Sequence, residues 1–596
     1  MAIIGIDLGT TNTLASVWKN GTYELIPNSL GSYLTPSVVG VNDKGEILTG
    51  QTAKEQLGFR PEQTVSSFKR YMGTEKTWRL GEKNFSPQEL SALVLTQIRE
   101  DASRYLGEPV EEAVISVPAY FNDMQRQATR MAGRLAGLKV ERLVNEPSAA
   151  ALAYRMNLPG PGETLKTEEL LPEEDQTFLV FDFGGGTLDI SIVDAFDNVI
   201  EIVAVAGDNH LGGDDINQAL AERFLAEKHL DEGNLTKEER ASLLRESERL
   251  KRLLSSEEKG NMEVVIGGEI RQMELDQKGL LEVAAPVLES IGLPLSRAMT
   301  DSGYGWGDID GIIMVGGSGK MPVVQNYLHF LSGKKPVCRI DPDVAVAAGA
   351  GIYAGMKERA GELRDMLLTD ICPFTLGTEV TQEDRSAPSV MAPVIERNST
   401  LPVSRMARYT TANPFQSHCT VRVLQGEHRL AEQNLCLGEL DVEVPVGQDP
   451  GHREAIDVRY TYDINGILEI DVTVASTGKT TSRVIINKNI KMAEEELRLR
   501  REALQKLKIS PRDQEINRVV LARGDRLFEE NTGEVRQYVS RFMEEFTTAL
   551  GTQNGRTIQE ARERTTELFD IIENSPKKSV KLRLDKYLYD EWRRNQ

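Results

Sequence analysis

The sequence predicts a multidomain protein in which an α/β region is followed by a β-rich region and then by a helical region. Up to about Arg364, short β-rich runs are mixed with helical segments, which is typical of α/β folds. From Ile371 to about Lys491, apolar and polar residues alternate between frequent turns, as in a β-sandwich. From Met492, apolar residues recur at helical spacing in a segment rich in Glu, Arg and Leu.

Individual stretches support the α/β prediction in chain order. Residues 111–121 (EEAVISVPAYF) predict a strand that leads into a turn, and residues 125–138 (QRQATRMAGRLAGL) predict a helix that ends at a glycine. A loop rich in Pro, Gly and Glu, residues 157–176, divides the region near its middle. The short apolar segment DMLLTD, residues 365–370, precedes the change to the β-rich pattern.

Two later patterns support the rest of the organisation. Asn465 and Gly466 lie between alternating runs in RYTYDINGILEIDVTVA, which predicts a type I′ hairpin. The stretches EEELRLRREALQKL and GEVRQYVSRFMEEFTTAL carry apolar residues on one helical face. We therefore expect a β-domain with a helical appendage.

Composition and charge restrict the class of protein. The formal net charge of −21 argues against nucleic acids and anionic membranes as partners. The N-terminus MAIIGIDLG has no basic residue and carries Asp7 inside its apolar run, so we do not expect a secretory signal. The weakly polar stretch that starts at Val344 is shorter than the roughly 18 residues needed to span a bilayer. We expect a soluble cytoplasmic protein whose four cysteines are buried and reduced.

An internal repeat carries most of the functional information. The stretches IIGIDLGTTNTLASVW and LVFDFGGGTLDISIV share one plan: an apolar strand, Asp-x-Gly, a small hydroxyl residue and a second strand. Asp7 and Asp182 occupy equivalent places in the two copies. A third glycine run, IIMVGGSGKMP, also follows an apolar strand. Glycine turns expose backbone N–H groups to anionic oxygen, so the repeat predicts a phosphate site between two facing turns.

Phosphoryl transfer requires backbone donors around the phosphates, a metal held by carboxylates, and a cation near the transferred group. The Walker-type loop G-x-x-x-x-G-K-[ST] is absent from the sequence, so the hairpin turns are the predicted phosphate ligands. Asp7 and Asp182 are suited to hold Mg²⁺ through its waters, because this ion keeps much of its hydration shell. Thr10, Thr11 and Asn12, with Thr187, supply side-chain hydrogen bonds.

Six motifs together resemble the DnaK-like heat-shock protein 70 family of chaperones: GIDLGTTN, VPAYFND, NEPSAAALAY, FDFGGGTLDIS, LGGDD and MVGGSGKMP. The resemblance runs from Ile3 to about Lys491, and residues 68–81 (FKRYMGTEKTWRLG) look most like the HscC branch. It implies an actin-like, two-lobed α/β ATPase domain (1–364), an interdomain linker (365–370), a β-sandwich peptide-binding domain (371–491) and an α-helical lid (492–596). It also implies ATP and Mg²⁺ as cofactors, and it admits K⁺.

The resemblance assigns roles to particular residues. The catalytic set would be Lys69 near the γ-phosphate, Glu146 orienting or helping to deprotonate the water, Thr187 on the γ-phosphate, and Asp182 and Asp189 in the metal and water network. The remaining nucleotide-binding positions would be Gly9, Thr10, Thr11, Asn12, Gly184, Gly185, Gly186, Gly212, Gly213, Glu248, Lys251, Arg252, Ser255, Gly316, Gly317, Ser318 and Asp343. Communication with the second domain would use Pro118, Arg126, Leu367, Leu368 and Asp370.

The peptide-binding positions implied by the resemblance are Thr378, Tyr409, Ala412, Cys419 and Val421. Several residues depart from the common family pattern. Lys320 replaces an arginine that stacks on adenine, which predicts weaker binding of the base. Thr369 reduces the apolar area of the linker, and Cys419 alters the peptide pocket.

The predicted function is ATP-driven binding and release of extended apolar segments of unfolded or client polypeptides. The resemblance implies a J-domain co-chaperone as partner, whereas the short tip of the segment SSEEKGNMEVVIGGEIRQMEL argues against a GrpE-type exchange factor. Two alternatives share the glycine turns: a metabolic kinase of the actin-like fold, acting on a sugar or acid, and a nucleotide-gated filament. Neither alternative explains the β-rich and helical regions after Ile371.

Overall fold

The computed structural model describes residues 2–42, 44–57, 60–156, 175–196, 199–337, 340–358, 360, 363, 366–382, 387–447, 453–464, 466–485, 515–552, 555–574, 581–584 and 586–587. Several predictions made above lie outside these residues: most of the loop 157–176, the boundary at 364–365, the residues Cys338 and Asn465, and the start of the helical segment at 492. The chain divides into two compact units, Met1–Phe374 and Thr375–Gln596.

The first unit combines 18 strands and nine α-helices among the residues described. Its strands are β1 (Ile3–Leu8), β2 (Asn12–Lys19), β3 (Thr22–Ile26), β4 (Thr35–Pro36), β5 (Val39–Val41), β6 (Ile47–Thr49), β7 (Thr64–Val65), β8 (Trp78–Leu80), β9 (Lys83–Phe85), β10 (Glu112–Val117), β11 (Leu143–Asn145), β12 (Gln176–Phe183), β13 (Leu188–Phe196), β14 (Val199–Asp208), β15 (Lys259–Ile266), β16 (Glu269–Asp276), β17 (Gly311–Val315) and β18 (Leu367–Thr369). Its helices are α1 (Gly50–Leu57), α2 (Pro87–Leu106), α3 (Asp123–Leu135), α4 (Glu146–Met156), α5 (Gly213–Glu227), α6 (Lys237–Leu253), α7 (Gln277–Ser302), α8 (Pro322–Ser332) and α9 (Ala345–Lys357).

Two main sheets of the first unit repeat one topology. The first sheet has the order β11-β10-β1-β2-β3, with β4 beside β2, and the second has the order β17-β12-β13-β14-β18. In each, the strand before the Asp-x-Gly turn pairs in parallel with a later strand and antiparallel with the strand after the turn. We call residues 2–156 the first half and residues 175–337 the second half of this unit. The internal repeat in the sequence is therefore also a repeat in the fold.

The core explains why these segments adopt their structures. β13 is buried over almost its whole length, as expected for a strand covered on both faces. One apolar cluster lies around α2 and α3, a second around α5 to α8, and a third joins the two sheets through the small residues of α4 and α9. The predicted strand at 111–121 and the predicted helix at 125–138 are confirmed as β10 and α3. Asn122 caps α3, and Gly137 follows its end at a φ of +78°.

One helix of the described part, α7, is long and apolar enough to cross a membrane by length and composition alone. Its inner face, which includes Leu280, Leu288 and Leu295, packs into the core of the second half. A core helix passes the same test, so this finding is weak evidence for a membrane span.

The second unit contains two four-stranded antiparallel sheets and three α-helices among its described residues. The strands are β19 (Leu376–Val380), β20 (Val390–Ile395), β21 (Val403–Thr410), β22 (His418–Gln425), β23 (Leu435–Glu443), β24 (Ala455–Tyr462), β25 (Leu468–Val474) and β26 (Thr480–Ile485). One sheet has the order β20-β19-β22-β23 and the other β21-β24-β25-β26. The Tyr460 hydroxyl joins the two sheets by donating to the Gly377 carbonyl at 2.9 Å.

The helices α10 (Glu515–Glu530), α11 (Gly533–Thr552) and α12 (Gly555–Asn574) share an apolar cluster that includes Phe542, Phe546 and Phe569. The helical prediction is confirmed for GEVRQYVSRFMEEFTTAL, which lies in α11. The expectation that every cysteine is buried is wrong for Cys436, which is exposed on β23, and Cys419 is only half-buried. Strand β23 lies at the edge of its sheet, so its outward-facing residues are solvated.

Candidate active site

Two glycine turns of the first unit face each other at van der Waals distance. The turn between β12 and β13 is closed by a hydrogen bond from the Gly184 N–H to the Thr187 carbonyl at 3.1 Å. A Cβ atom on Gly185 would lie 2.1 Å from the Thr11 hydroxyl, which belongs to the turn between β1 and β2. Only glycine permits this approach, because any side chain at this position would displace Thr11. The structure therefore brings the two copies of the repeat together at one place.

A cleft of about 630 Å³ opens at these turns. Most of the predicted site residues line it: Asp7, Gly9, Thr10, Thr11, Asn12, Lys69, Glu146, Asp182, Gly184, Gly185, Thr187, Glu248, Lys251, Arg252, Ser255, Gly316, Gly317, Ser318 and Asp343. Four predicted residues do not line it, namely Gly186, Asp189, Gly212 and Gly213. Residues from both halves of the unit therefore meet around one cavity of a size suited to a small-molecule ligand.

Lys69 and Glu146 form a buried ion pair in the cleft. The Lys69 ammonium is 2.8 Å from Glu146 Oε1, and the two side chains are only 4% and 7% exposed. Lys69 comes from the 3₁₀ turn Phe68–Tyr71, and Glu146 is the first residue of α4. These two residues are 77 positions apart in sequence, so the fold is what brings them together.

Three aspartates surround this pair. Asp182 and Asp189 are direct neighbours across the β12–β13 hairpin, and Asp7 accepts a hydrogen bond from the Ser116 hydroxyl at 2.8 Å. Burial raises the pKa of Asp7 to about 7, and the charge of Glu146 adds to the rise. Burial and the same carboxylate also raise the pKa of Asp189 to about 7 and that of Asp182 well above its ordinary value. The protein thus concentrates carboxylates whose ionised forms require a cation.

The donor set fits a hydrated divalent cation. Asp189 Oδ2 is buried and has no hydrogen-bond partner among the described residues, which leaves one acceptor for a bound water. Within the described part of the chain, no three acidic, His or Cys side chains converge closely enough to hold a metal directly. Mg²⁺ prefers oxygen ligands and keeps several waters, so Asp7 and Asp182 suit contact through water.

One face of α6 supplies the other side of the cleft. Glu248, Lys251, Arg252 and Ser255 recur at the spacing of one helical face. The Lys251 ammonium donates to the Gly213 carbonyl at 2.9 Å, and burial lowers its pKa. Arg252 pairs with Glu248 at 2.7 Å. Lys251 thereby ties α6 to the start of α5 beside the glycine turns.

Lys320 has acidic partners at the rim of the same cleft. Its ammonium lies 2.5 Å from Asp341 and 2.6 Å from Asp343. The pKa of Lys320 is raised by these two carboxylates even though burial opposes the rise. The ammonium is therefore held by the loop that carries Asp343, and it lacks the planar face that an arginine would offer to a base.

The predicted communication residues form a hydrogen-bonded chain. Arg126 donates to the carbonyls of Phe121 and Ala119 at 3.0 Å and to the Asn145 side chain at 2.7 Å. Asn145 in turn donates to Asp370. Burial raises the pKa of Asp370, and the Arg126 charge opposes the rise. Since Asn145 precedes Glu146, this chain connects the ion pair to the residue that ends the linker.

Within the predicted linker, residues Leu367–Thr369 form β18, which pairs in parallel with β14 at the edge of the second sheet. Leu367 is 63% exposed, whereas Leu368 is half-buried and packs against the core. Thr369 is also half-buried. Pro118 accepts a backbone hydrogen bond from Phe121 at 3.1 Å, which closes the turn after β10.

Sequence reasoning missed Tyr120 and Asn145. The Tyr120 N–H donates to Asp189 at 2.9 Å, its hydroxyl accepts from Arg297 at 3.1 Å, and its ring lies 4.4 Å from that of Phe374. Tyr120 therefore touches both the carboxylate cluster and the residues after the linker. Both residues lie inside motifs that carry the family resemblance, VPAYFND and NEPSAAALAY, so the signal was present in the sequence.

The predicted peptide-binding residues lie in both sheets of the second unit. Thr378 on β19 is buried, and its hydroxyl donates to the Arg422 carbonyl at 2.9 Å. Cys419 and Val421 alternate on β22, so they share one face, on which Val421 is buried. Tyr409 on β21 and Ala412 beyond it are half-buried. Burial raises the pKa of both the Tyr409 hydroxyl and the Cys419 thiol.

Comparison with known proteins identifies the family. The family model described as "Hsp70 protein" matches residues 3–79 and 76–586. A curated relative, "Chaperone protein DnaK" of Thermotoga neapolitana, is 38% identical over 511 residues, which cover 83% of this chain and 82% of the relative. The chain belongs to the Hsp70 family. It is an ATP-dependent chaperone with ATPase activity, it combines α/β, β-rich and helical parts, and the kinase alternative is not favoured.

Proposed function

We propose that the chain is an ATP-driven peptide clamp in which nucleotide bound at the glycine turns controls an extended peptide in the β-rich unit. The observation that carries this proposal is the buried Lys69–Glu146 pair among three aspartates, beside two facing glycine turns. The proposed layout is an actin-like, two-lobed ATPase domain (1–364), a linker (365–370), a β-sandwich (371–491) and a helical lid (492–596). The repeated topology of the two main sheets supports the two-lobed assignment.

The carboxylate cluster and its lysine supply the hydrolytic chemistry. Lys69 stabilises charge on the γ-phosphate, and Glu146, held by Lys69 at 2.8 Å, orients the attacking water. Asp7 and Asp182 would hold Mg²⁺ through its waters, and Asp189 Oδ2, which has no hydrogen-bond partner among the described residues, would accept from these waters. Mg²⁺ supplies charge neutralisation for the phosphates when it is bound. Thr187 donates to the γ-phosphate, and K⁺ is a candidate second cation.

The remaining cleft residues hold the nucleotide. Backbone N–H groups of the turns at Gly9–Asn12 and Gly184–Thr187 bind phosphate oxygens, because such turns present several donors to one anion. The face of α6 and the glycine run at Gly316–Ser318 contact the nucleoside, with Asp343 beyond them. Gly213 acts from behind the turns through the Lys251 contact, and Gly212 allows the close approach of the Gly185 backbone. Lys320 in its acidic pair predicts weaker stacking on the base than an arginine would give.

Coupling to the second unit runs through Arg126, Asn145 and Asp370, with Pro118 at the turn that positions Arg126. ATP favours the arrangement in which β18 pairs with β14, and hydrolysis releases this strand. Because ATP and peptide bias one two-state element, each must alter the affinity of the other by the same factor. The peptide lies against Tyr409, Ala412, Cys419 and the β22 face, above the buried Thr378.

Membership of the family supports the proposed partners. We propose that unfolded or client polypeptides are the substrates and that a J-domain co-chaperone stimulates hydrolysis, whereas the sequence argues against a GrpE-type exchange factor. The β15–β16 hairpin, with its turn at Gly267 and Gly268, supports the last point because it has a short tip. We further propose membership of the HscC branch, on the sequence of residues 68–81, and a cytoplasmic location.

The test compares peptide binding in two nucleotide states. A fluorescent apolar heptapeptide should bind the intact protein in ADP with Mg²⁺ and should be released when ATP replaces ADP, as measured by anisotropy. The same protein should not transfer phosphate from ATP to sugars or small acids, as measured with radiolabelled ATP. Absence of peptide binding in every nucleotide state would overturn the clamp, and phosphorylation of a small acceptor would favour a kinase.

A further inference from the structure

Arg70 follows Lys69 in the chain, but its side chain contacts the glycine turns. Its Nη2 atom donates to the Gly185 carbonyl at 3.2 Å and lies 3.1 Å from Asp215 Oδ2. The Arg70 side chain is 15% exposed and that of Asp215 is 34% exposed. One guanidinium group of the first half thereby contacts both the β12–β13 turn and the first turn of α5 in the second half.

A neighbouring residue makes a parallel contact. The Ser67 hydroxyl lies 3.2 Å from Asp214 Oδ2. Ser67 adopts a left-handed backbone conformation with φ of +54°, which is uncommon for a residue other than glycine. We call the contacts Ser67–Asp214 and Arg70–Asp215 the latch. The latch joins the segment that carries Lys69 to the start of α5.

The β12–β13 turn and the first turn of α5 are hydrogen-bonded to each other on the far side of the latch. The Gly213 N–H donates to the Gly184 carbonyl at 2.9 Å, and the Asp214 N–H donates to the Gly185 carbonyl at 2.8 Å. Asp215 also accepts from the Gly212 N–H at 2.7 Å. Asp215 is therefore connected through backbone hydrogen bonds to the turn that contacts Thr11.

Gly186 is explained by the same contact. A Cβ atom on Gly186 would lie 2.3 Å from Arg70 Nε and 2.8 Å from Thr10 Cγ2. Gly186 does not line the cleft, so its lack of a side chain serves the close approach of Arg70. The third glycine of FDFGGGTLDIS is thus required by a contact between the two halves.

We propose that Arg70 is a positioning residue that holds the glycine turns of the second half against the first half and thereby sets how fast nucleotide leaves the cleft. The inference rests on the proposed nucleotide site. Arg70 lies outside the cleft lining, so it acts on nucleotide through the turns. A guanidinium can bond a carboxylate and a carbonyl together, which a lysine ammonium does with poorer geometry.

The test measures release of a fluorescent ADP analogue from the full chain in Mg²⁺, by stopped-flow chase with unlabelled ATP. Arg70→Ala should speed release about tenfold, which corresponds to about 1.4 kcal/mol. The rate of single-turnover hydrolysis of ATP that is already bound should change by less than about twofold. The KM for ATP should therefore rise because nucleotide leaves faster, while the rate of the chemical step is retained. Arg70→Lys should restore part of the loss. Arg79→Ala, an exposed arginine on β8, is the matched control.

The substitution Asp215→Asn tests the latch independently of Arg70. Asparagine can still accept from the Gly212 N–H but cannot form the ion pair, so the turn is preserved and only the latch is weakened. This variant should also release ADP faster, and the double variant with Arg70→Ala should be no faster than Arg70→Ala alone. If Arg70→Ala does not fold, as judged by circular dichroism, Asp215→Asn carries the test.

Unchanged release in both single variants, or additive effects in the double variant, would overturn the latch. A loss of single-turnover rate with unchanged release would also overturn it, since Arg70 would then act in the chemistry. Failure of the wild-type protein to bind the ADP analogue would instead overturn the proposed nucleotide site. The two failures are therefore distinguishable in one experiment.

Discussion

Lys69→Met is the substitution that examines the chemical site most closely, because it removes the charge while keeping much of the side-chain volume. Glu146 would then be left without the partner that lies 2.8 Å away, at a site where both side chains are less than one-tenth exposed. Removing one partner of a buried pair costs about 3–5 kcal/mol of stability. Loss of a group that stabilises transition-state charge slows the reaction by about 10²–10³-fold.

The assays separate these two effects. Urea denaturation of the first unit, followed by intrinsic fluorescence, should show a lower midpoint for Lys69→Met, and single-turnover hydrolysis should fall by the factor given above. ADP affinity should stay within about tenfold of the wild-type value, which is about 1.4 kcal/mol, because most of the cleft lining is intact. The double variant Lys69→Met with Glu146→Gln should recover stability, since it removes the unpaired charge, but it should not recover hydrolysis.

Two results would refute this reasoning. Hydrolysis at the wild-type rate in Lys69→Met would remove Lys69 from the reaction. An unchanged denaturation midpoint would contradict the buried ion pair, because leaving the Glu146 carboxylate unpaired among three aspartates must lower the free energy of unfolding.

Three further predictions concern the carboxylates, the linker and the peptide pocket. Burial raises the pKa of Asp7 and of Asp189 from 3.8 to about 7, so the folded state binds more protons than the unfolded state. The stability of the nucleotide-free first unit should therefore fall as pH rises from about 4 to about 7. Calorimetry should show a larger stabilisation by Mg²⁺-ADP at pH 8 than at pH 5.5, and equal stabilisation at both pH values would contradict the pKa shifts. Leu368→Asp should abolish stimulation of the ATPase by peptide, whereas Leu367→Asp, at the exposed neighbouring position, should retain most of this stimulation. Equal loss in both variants would argue against docking of the Leu368 side chain on the core of the first unit. Cys419→Val should tighten binding of an apolar heptapeptide about fourfold in a fluorescence titration, from about 0.8 kcal/mol for one extra buried carbon, and unchanged affinity would place this residue outside the pocket.

Much of the fold was predictable because it repeats in the sequence. Each copy of the sequence repeat consists of a strand, an Asp-x-Gly turn and a second strand, and the two copies form the hairpins β1–β2 and β12–β13. Both hairpins occupy equivalent places in sheets of the same topology. The linker strand β18 was not predicted as a strand. Three residues are too short for a periodic pattern, and the partner β14 lies far away in the sequence.

The site was only partly predictable from residues alone. The glycines and aspartates of the turns follow from local chemistry, but the Lys69–Glu146 pair joins residues 77 positions apart and was accessible only through the family resemblance. Gly186 packs against Arg70 and does not line the cleft, and a glycine run alone does not reveal which of its members faces the ligand. The structural role of Tyr120 also depends on the packing of distant residues, Arg297 and Phe374.

The central claim is that nucleotide in the cleft and peptide in the β-rich unit bias one equilibrium. The most direct measurement determines four affinities of the intact wild-type protein: peptide without nucleotide and in ATP, and ATP with and without saturating peptide, each on a timescale shorter than hydrolysis. We predict that ATP weakens peptide binding and that peptide weakens ATP binding by the same factor, at least about fivefold. Equal peptide affinity with and without ATP would contradict the clamp.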